Sequence, residues 1–419
     1  MALNECFDIE DRLLTLDEAH ALIAARIQPV EETETLPLSQ ALGRVLAEDV
    51  VAPFAQPSSP NSAMDGFAVC FADLLPGQPT RLWIGERIAA GHPRPAPPPG
   101  QAAEIFTGAP LPAPLDTVAM VEDCPVENGF VTLPPGLKRG NHVRPAGEDF
   151  TAGAVVLRAG RRLLPPDIAM AAAVGRASLP LRRRLKVGVF STGDEVVEPG
   201  GILGEGQLYG SNRPGQLAMV TAWGHEAVDL GHLPDQRDAT AAAFLAASGT
   251  VDAILSSGGV SMGGEDHVRD AVLALGGELH LWRIALKPGK PVVLGRVGQA
   301  AFIGLPGYPV SALVTMMLVA RVVLNRLSGA SLLPPLPPAF ALPAGEAIKK
   351  KHNRRTFLRA SLRLDAAIGT LSVVPYSSQD SGVISSLVET DGLIDLAADN
   401  QGVAKGELVS FRPYGGLMG

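Results

Sequence analysis

Cysteine is scarce. The chain of 419 residues has three, Cys6, Cys70 and Cys124, widely spaced and without a C-x-x-C pair. That excludes a disulfide framework and a cysteine-built metal centre, and it leads us to expect a reducing, cytoplasmic setting. Aromatic residues are only 5%, and 35 basic side chains face 43 acidic ones for a net charge of −8. A nucleic-acid surface needs a basic field and stacking rings, so no such partner is expected. The acidic start, MALNECFDIEDR, lacks the basic and apolar regions of a signal peptide. The most apolar stretch, Val310 to Ala320, is interrupted by Arg321 and is too short to span a bilayer, so no membrane partner is expected. P-loop, G-x-S-x-G and H-E-x-x-H motifs are all missing.

Glycine and proline, by contrast, are plentiful at 46 and 36 residues, in a chain that is 46% hydrophobic. Such a chain folds, with many turns, into about two to four domains. TLDEAHALIAARIQ (15–28) reads as a helix opened by a Thr15–Glu18 capping box, and SQALGRVLAEDV as a second one. LLPPDIAMAAAV (163–174) reads as a helix that could pack with the first two. Between them, short β-branched runs are cut by proline clusters, which stop helix and suggest a small β module. From Leu185 onward, apolar strands alternate with helices, the pattern of a doubly wound, mostly parallel sheet. A proline-rich linker, LLPPLPPAFALP, then precedes alternating runs of a final β domain. The expected architecture is multi-domain α/β plus β. It comprises an N-terminal mixed domain (1–53 plus 148–181), an inserted β domain (54–147), a doubly wound α/β domain (182–330) and a C-terminal β domain (336–419).

In a parallel sheet, ligands bind beyond the carboxyl ends of the strands. Three loops there carry related chemistry: STGDE (Ser191 to Glu195), GGVSMGGED (Gly258 to Asp266) and PGYP at the start of the last helix. The glycines suit an anion-binding nest of backbone N–H groups, or else plain tight turns with aspartate caps. Asp194, Glu195 and Asp266 beside a phosphate would call for a bridging Mg²⁺; as helix caps they would not. LKPGKP places Lys287 and Lys290 across a proline–glycine turn, an oxyanion site or a solvated turn. In KKKHNRRTFLRA, a solvated hairpin is expected for Lys349 to Lys351, with Arg355 or Arg359 turned to a pocket. RRRLK (Arg182 to Lys186) reads as a solvated junction, and His225 and His232 as surface or satisfied strand residues. NSAMDGFAV with Asp65, EIFTGAPLP with Thr107, and GNHVRPAGEDF with Glu148 and Asp149 read alone as Asx-type turns.

Taken in order, NSAMDGFAV, TGAPLP, GEDF, VFSTGDE, SSGGVSMGGED, KPGKP, GLPGYP, FLRA and SSQDSGVISS resemble the molybdopterin molybdenumtransferase family, MoeA-like proteins that include the gephyrin E domain. The resemblance runs from about residue 44 to the end. It implies an elongated four-part subunit, usually homodimeric, whose α/β domain is similar to molybdopterin adenylyltransferases. The implied reaction inserts molybdate into adenylylated molybdopterin and releases AMP, with a divalent cation, in a cleft shared between subunits. Upstream adenylyltransferases and downstream molybdoenzyme clients are the implied partners.

Carried over by position, the resemblance implies catalytic roles for Asp65, Thr107, Asp149, Glu195, Asp235 and Asp266, with Glu195 and Asp266 on Mg²⁺. It implies ligand contacts from Ser191 and Gly193, and from Gly258, Gly259, Ser261 and Gly263 in the nest. The cations Arg283, Lys287 and Lys290 join them, with Pro306 and Pro309 shaping the last loop; Arg359 and Ser385 would sit with the lysines around molybdate. Three positions differ from the usual pattern: Pro60 and Gly210 replace aspartates, and Tyr308 replaces an asparagine. Those departures leave open a non-catalytic paralogue that carries the cofactor to a partner enzyme. The α/β core alone would also suit adenylyl transfer, but that reaction has no use for the flanking domains.

Overall fold

The computed structural model describes residues 13–233, 235–258, 267–331, 333–351, 353–365 and 369–418. Among them, a seven-stranded sheet runs in the order Leu13–Leu14, Glu278–Ile284, Pro291–Val297, Ala300–Leu305, Ala253–Ser257, Lys186–Thr192, Glu226–Leu233. Pro291–Val297 is antiparallel to both neighbours, and the other pairings are parallel. Strand side chains alternate between faces, so each face has its own core. Val187, Val189, Leu255, Ile303 and Leu305 pack with helices Leu16–Arg26, Asn212–Ala222 and Pro309–Leu327. Phe190, Ile254 and Phe302 pack with helices Arg237–Ser248 and His267–Ala274. The sheet is doubly wound, as expected.

The Thr15–Glu18 capping box forms, but its helix goes elsewhere than expected. Leu16, Ala19 and Ile23 join the α/β core instead of packing with Pro165–Ala173. His20 fixes the contact: its Nε2 lies 2.7 Å from the Leu318 carbonyl, inside a π-helical turn at Met316–Ala320. A π turn displaces carbonyls from the regular ladder and leaves one for such a partner.

The last helix, Pro309–Leu327, runs through YPVSALVTMMLVARVVLNRL as its sequence predicts, but the apolar stretch in it is longer than Val310 to Ala320. Arg321 does not end it, and its 19 residues at mean hydropathy 1.6 could cross a membrane by length and composition. It is a core helix, however, with 83% of that span buried inside the protein. Arg321 is accommodated because its Nε donates to Met317 O at 3.4 Å and its Nη2 to Pro335 O at 2.7 Å. The proline linker is therefore gripped rather than free, and Arg412 holds the Pro337 carbonyl as well.

The N-terminal segments pair across the insertion: Thr33–Pro37 with Ser178–Arg182, and Val50–Val51 with Val155–Leu157. Leu46, Leu163, Leu179 and Leu181 form their core. No second helix forms at 39–50. Only a 3-10 turn, Leu38–Gln40, appears, because Gly43 takes φ +73° and Val45 and Leu46 then bridge to Arg162 and Leu181. Between these segments lies a six-stranded sheet built from Gly66–Val69, Thr80–Ile88, Gln101–Ile105, Thr117–Met120, Val126–Glu127 and Phe130–Leu133. RRRLK is not a solvated junction: Arg183 makes a two-pronged pair with Asp252, both bonds 2.7 Å, and Arg182 holds the carbonyls of Val30 and Glu31.

The C-terminal sheet contains Phe340–Pro343, Arg355–Asp365, Thr370–Pro375, Gly392–Leu396 and Leu408–Pro413. Its edge is borrowed. Leu286–Lys287, from the α/β region, pairs in parallel with Arg355 and Thr356.

Candidate active site

Thr192, Ser257 and Leu305 end three parallel strands at one rim. Because Pro291–Val297 runs the other way, the turn before it, ending at Lys290, arrives at that same rim. A cavity of about 1000 Å³ opens there. It brings together seven of the residues singled out from sequence: Ser191, Glu195, Gly258, Arg283, Lys290, Pro306 and Pro309. Ser257, Asn212, Leu208, Tyr308 and Ile384 complete the walls used below.

Each loop has a local cause. In STGDE, Gly193 has φ +122°, and a Cβ there would lie 2.7 Å from Glu195 Oε2. Glycine thus lets the carboxylate fold back over the loop. Ser191 Oγ lies 3.2 Å from His232 Nδ1, which makes His232 a satisfied strand residue, as expected, whereas His225 departs from that expectation: it is buried just before the strand with its Nε2 unpaired among the described residues. Asp194 Oδ1 accepts from the Asp235 N–H at 3.2 Å, a bond between two loops, and neither residue is in the walls. Gly258 corrects the nest at its first position, since its N–H donates to Leu305 O at 3.2 Å and is not directed at a ligand. Gly259, Ser261, Gly263 and Asp266 lie outside the described residues.

The two lysines of KPGKP part company. Lys290 lines the cavity, whereas Lys287 belongs to the borrowed strand and is not in the walls. Arg359 departs furthest from its implied role. It is 1% exposed, and its guanidinium donates to Ser386 Oγ (3.0 Å), Ser378 O (3.3 Å) and Asp380 O (3.0 Å). Burial lowers its pKa from the usual arginine value. It therefore organises the 378–386 loop, which supplies Gly382 and Ile384 to the cavity, and it does not itself reach the walls. Ser385 is likewise outside them, with Oγ 3.4 Å from Tyr376 Oη. Arg355 turns to Asp395, at 2.8 and 2.7 Å, and not to the cavity.

Asp65 and Thr107 belong to the insertion and Asp149 to the segment just after it. Asp65 Oδ1 accepts from both Thr107 N (2.7 Å) and Thr107 Oγ1 (2.8 Å). Those two bonds, the backbone one first, hold its carboxyl below the ordinary aspartate range. Asp149 is exposed, and its N–H donates to Gln56 O at 3.0 Å. None of the three lines the cavity of its own chain.

No group of three or more His, Cys, Asp or Glu side chains among the described residues could hold a metal alone. Sequence reading also passed over Asn212, whose Nδ2 donates to Gly307 O at 2.6 Å while its Oδ1 has no partner among the described residues. Only its place at the head of a helix, after GQLYG, hinted at it.

The order of modules and the loop chemistry can now be set beside known proteins. Residues 14–175 match the MoeA N-terminal region (domain I and II), 188–326 a probable molybdopterin binding domain, and 341–414 the MoeA C-terminal region (domain IV). The molybdopterin molybdenumtransferase of Haemophilus influenzae is 37% identical over 97% of this chain and 100% of its own length. The chain belongs to the MoeA family. A second MoeA relative, the molybdopterin molybdenumtransferase of Synechococcus elongatus, is 33% identical over 96% of this chain and 99% of its own. Among solved structures, the molybdopterin biosynthesis moeA protein from Pyrococcus horikoshii OT3 superimposes with a TM-score of 0.80 at 27% identity, over 96% of this chain and 100% of that one. The MoeA architecture thus spans the chain nearly end to end.

Proposed function

We propose that this chain is a transferase of molybdenum cofactor synthesis: it inserts molybdenum from molybdate into adenylylated molybdopterin and releases AMP. One observation carries the reading, a single cavity lined by two cations, Arg283 and Lys290, together with the carboxylate of Glu195. Molybdate and phosphate are both oxyanions. Lys290 offers three rotatable donors and Arg283 a planar fork, so together they suit a tetrahedral anion and a phosphate ester. Ser191 and Ser257 line the same walls and add hydroxyl groups.

Glu195 alone is a poor metal site, but Mg²⁺ commonly binds through one or two carboxylates and completes its shell with substrate phosphates. The single described carboxylate fits that mode, and Asp266 would be the second ligand. Bound there, the ion would neutralise charge developing on the cleaved phosphoanhydride. The chain's own groups bind and orient: Lys290 and Arg283 hold oxyanions, and Asn212 and the LPGYP loop shape the wall beside them.

Asp65, Thr107 and Asp149 lie outside this cavity, which supports a homodimer in which a second subunit brings them to it. An adenylyltransferase would supply the substrate and molybdoenzymes would receive the product. Purified protein given adenylylated molybdopterin, molybdate and Mg²⁺ should release AMP, and Glu195→Gln and Lys290→Ala should each slow this about 100-fold or more. Failure of the unmodified protein to release AMP sinks the reading. The carrier alternative is disfavoured by relatives named as transferases; a carrier would bind product without consuming adenylylated substrate.

A further inference from the structure

Tyr308 stands apart from the other walls of the cavity. It is 69% exposed, yet it lines the cavity together with the cations Arg283 and Lys290. Among the described residues its hydroxyl has no hydrogen-bond partner and its ring no aromatic or cationic neighbour. A large ring in that state is not tied down by a hydrogen bond or a ring contact, and a cavity wall is where such a ring can act.

Its base is held firmly. Pro306 and Pro309 restrict the backbone on either side. The Gly307 carbonyl accepts from Asn212 Nδ2 at 2.6 Å, and the Val310 N–H donates to Ser381 O at 3.0 Å. Ile384, from the C-terminal module, adds apolar surface to the same cavity. One site therefore offers a ring on a fixed backbone, aliphatic surface, and two cations. That combination fits a ligand with a flat heterocycle and an oxyanion tail: stacking holds the first, and charge the second.

We propose that Tyr308 is a specificity-determining residue whose ring stacks on the heterocycle of the phosphorylated ligand. The inference rests on the function proposed above, since that substrate carries both an adenine and a pterin. Stacking uses the ring face and not the hydroxyl, so phenylalanine should replace tyrosine without loss, whereas alanine and asparagine should not.

The test is calorimetric titration of the full-length protein and of Tyr308→Phe, Tyr308→Ala and Tyr308→Asn with three probes: AMP, a pterin monophosphate and ribose 5-phosphate. Tyr308→Phe should match the unmodified protein. Tyr308→Ala and Tyr308→Asn should bind one heterocyclic probe about tenfold or more weakly, the usual scale of a lost stacking platform. The probe that loses affinity identifies the heterocycle. Ribose 5-phosphate, which has no aromatic ring to stack, should bind all four proteins alike. Equal affinity of Tyr308→Ala and the unmodified protein for both heterocyclic probes overturns the inference, as does an equal loss for ribose 5-phosphate. Should the unmodified protein bind neither heterocycle yet release AMP from adenylylated molybdopterin, the inference falls and the function stands; without AMP release, both fall.

Discussion

Asn212 holds the carbonyl of Gly307, 95 residues away, at 2.6 Å. The bond ties the head of one helix to the loop that opens another, and both residues line the cavity. Asn212→Asp keeps the shape but swaps the donating amide for a carboxylate facing a carbonyl oxygen. We expect AMP release to fall about tenfold, on the scale of one hydrogen bond lost and replaced by repulsion. Unchanged kcat/KM in that variant would show that the tie is incidental.

Arg359 offers a cleaner separation of roles. If it organises the 378–386 loop from below, Arg359→Lys loses the fork that reaches three acceptors and leaves a buried charge poorly paired. Stability should drop by about 2–4 kcal/mol, read as a shift of the urea midpoint at constant slope. A direct molybdate ligand would behave otherwise, with the midpoint unmoved and the molybdate concentration for half-maximal rate increased.

Thr107 holds Asp65 in its ionised form. Thr107→Val removes the hydroxyl bond and keeps the backbone one, so the Asp65 pKa should rise partway toward 3.8, measurable by NMR titration of its carboxyl carbon. If Asp65 acts as a carboxylate in the reaction, the acid limb of the rate profile moves to higher pH in the same variant.

His225 makes the fold acid-sensitive. It is buried, its Nε2 has no partner among the described residues, and burial followed by the nearby Arg162 pushes its pKa from 6.5 down to about 3. The unfolded chain takes up a proton below pH 6.5 that the native state refuses, so stability from this residue is complete above that pH. It then falls by about 1.4 kcal/mol for each unit of pH lost until the folded value is reached. His225→Phe should flatten that slope between pH 6.5 and 5 in urea titrations. A slope identical to that of the unmodified protein rules the account out.

The sequence made the strand-end loops legible because their chemistry is local: glycines, prolines and charges at fixed offsets mark turns that any sheet would place at its rim. It could not show where a long side chain ends. Arg359 reads as a ligand contact beside a basic run and Lys287 as one of two lysines across a proline–glycine turn, but strand pairing settles their fates, turning one under a loop and the other into a second sheet. Glu278–Ile284 escaped notice because charged and apolar residues are mixed along it, and partners far along the chain keep it in the sheet. SQALGRVL carries apolar residues at helical spacing, but Gly43 takes the left-handed turn that a helix cannot use.

The borrowed strand has a consequence for how such a protein can be taken apart. Leu286–Lys287 completes the edge of the C-terminal sheet, and three residues later Lys290 is a wall of the cavity. The polypeptide boundary between the two modules therefore does not coincide with their structural boundary. A truncation made after the proline linker would strip the hydrogen-bonding partner from the segment that presents the cation. What looks in sequence like a removable tail is a splint for the site.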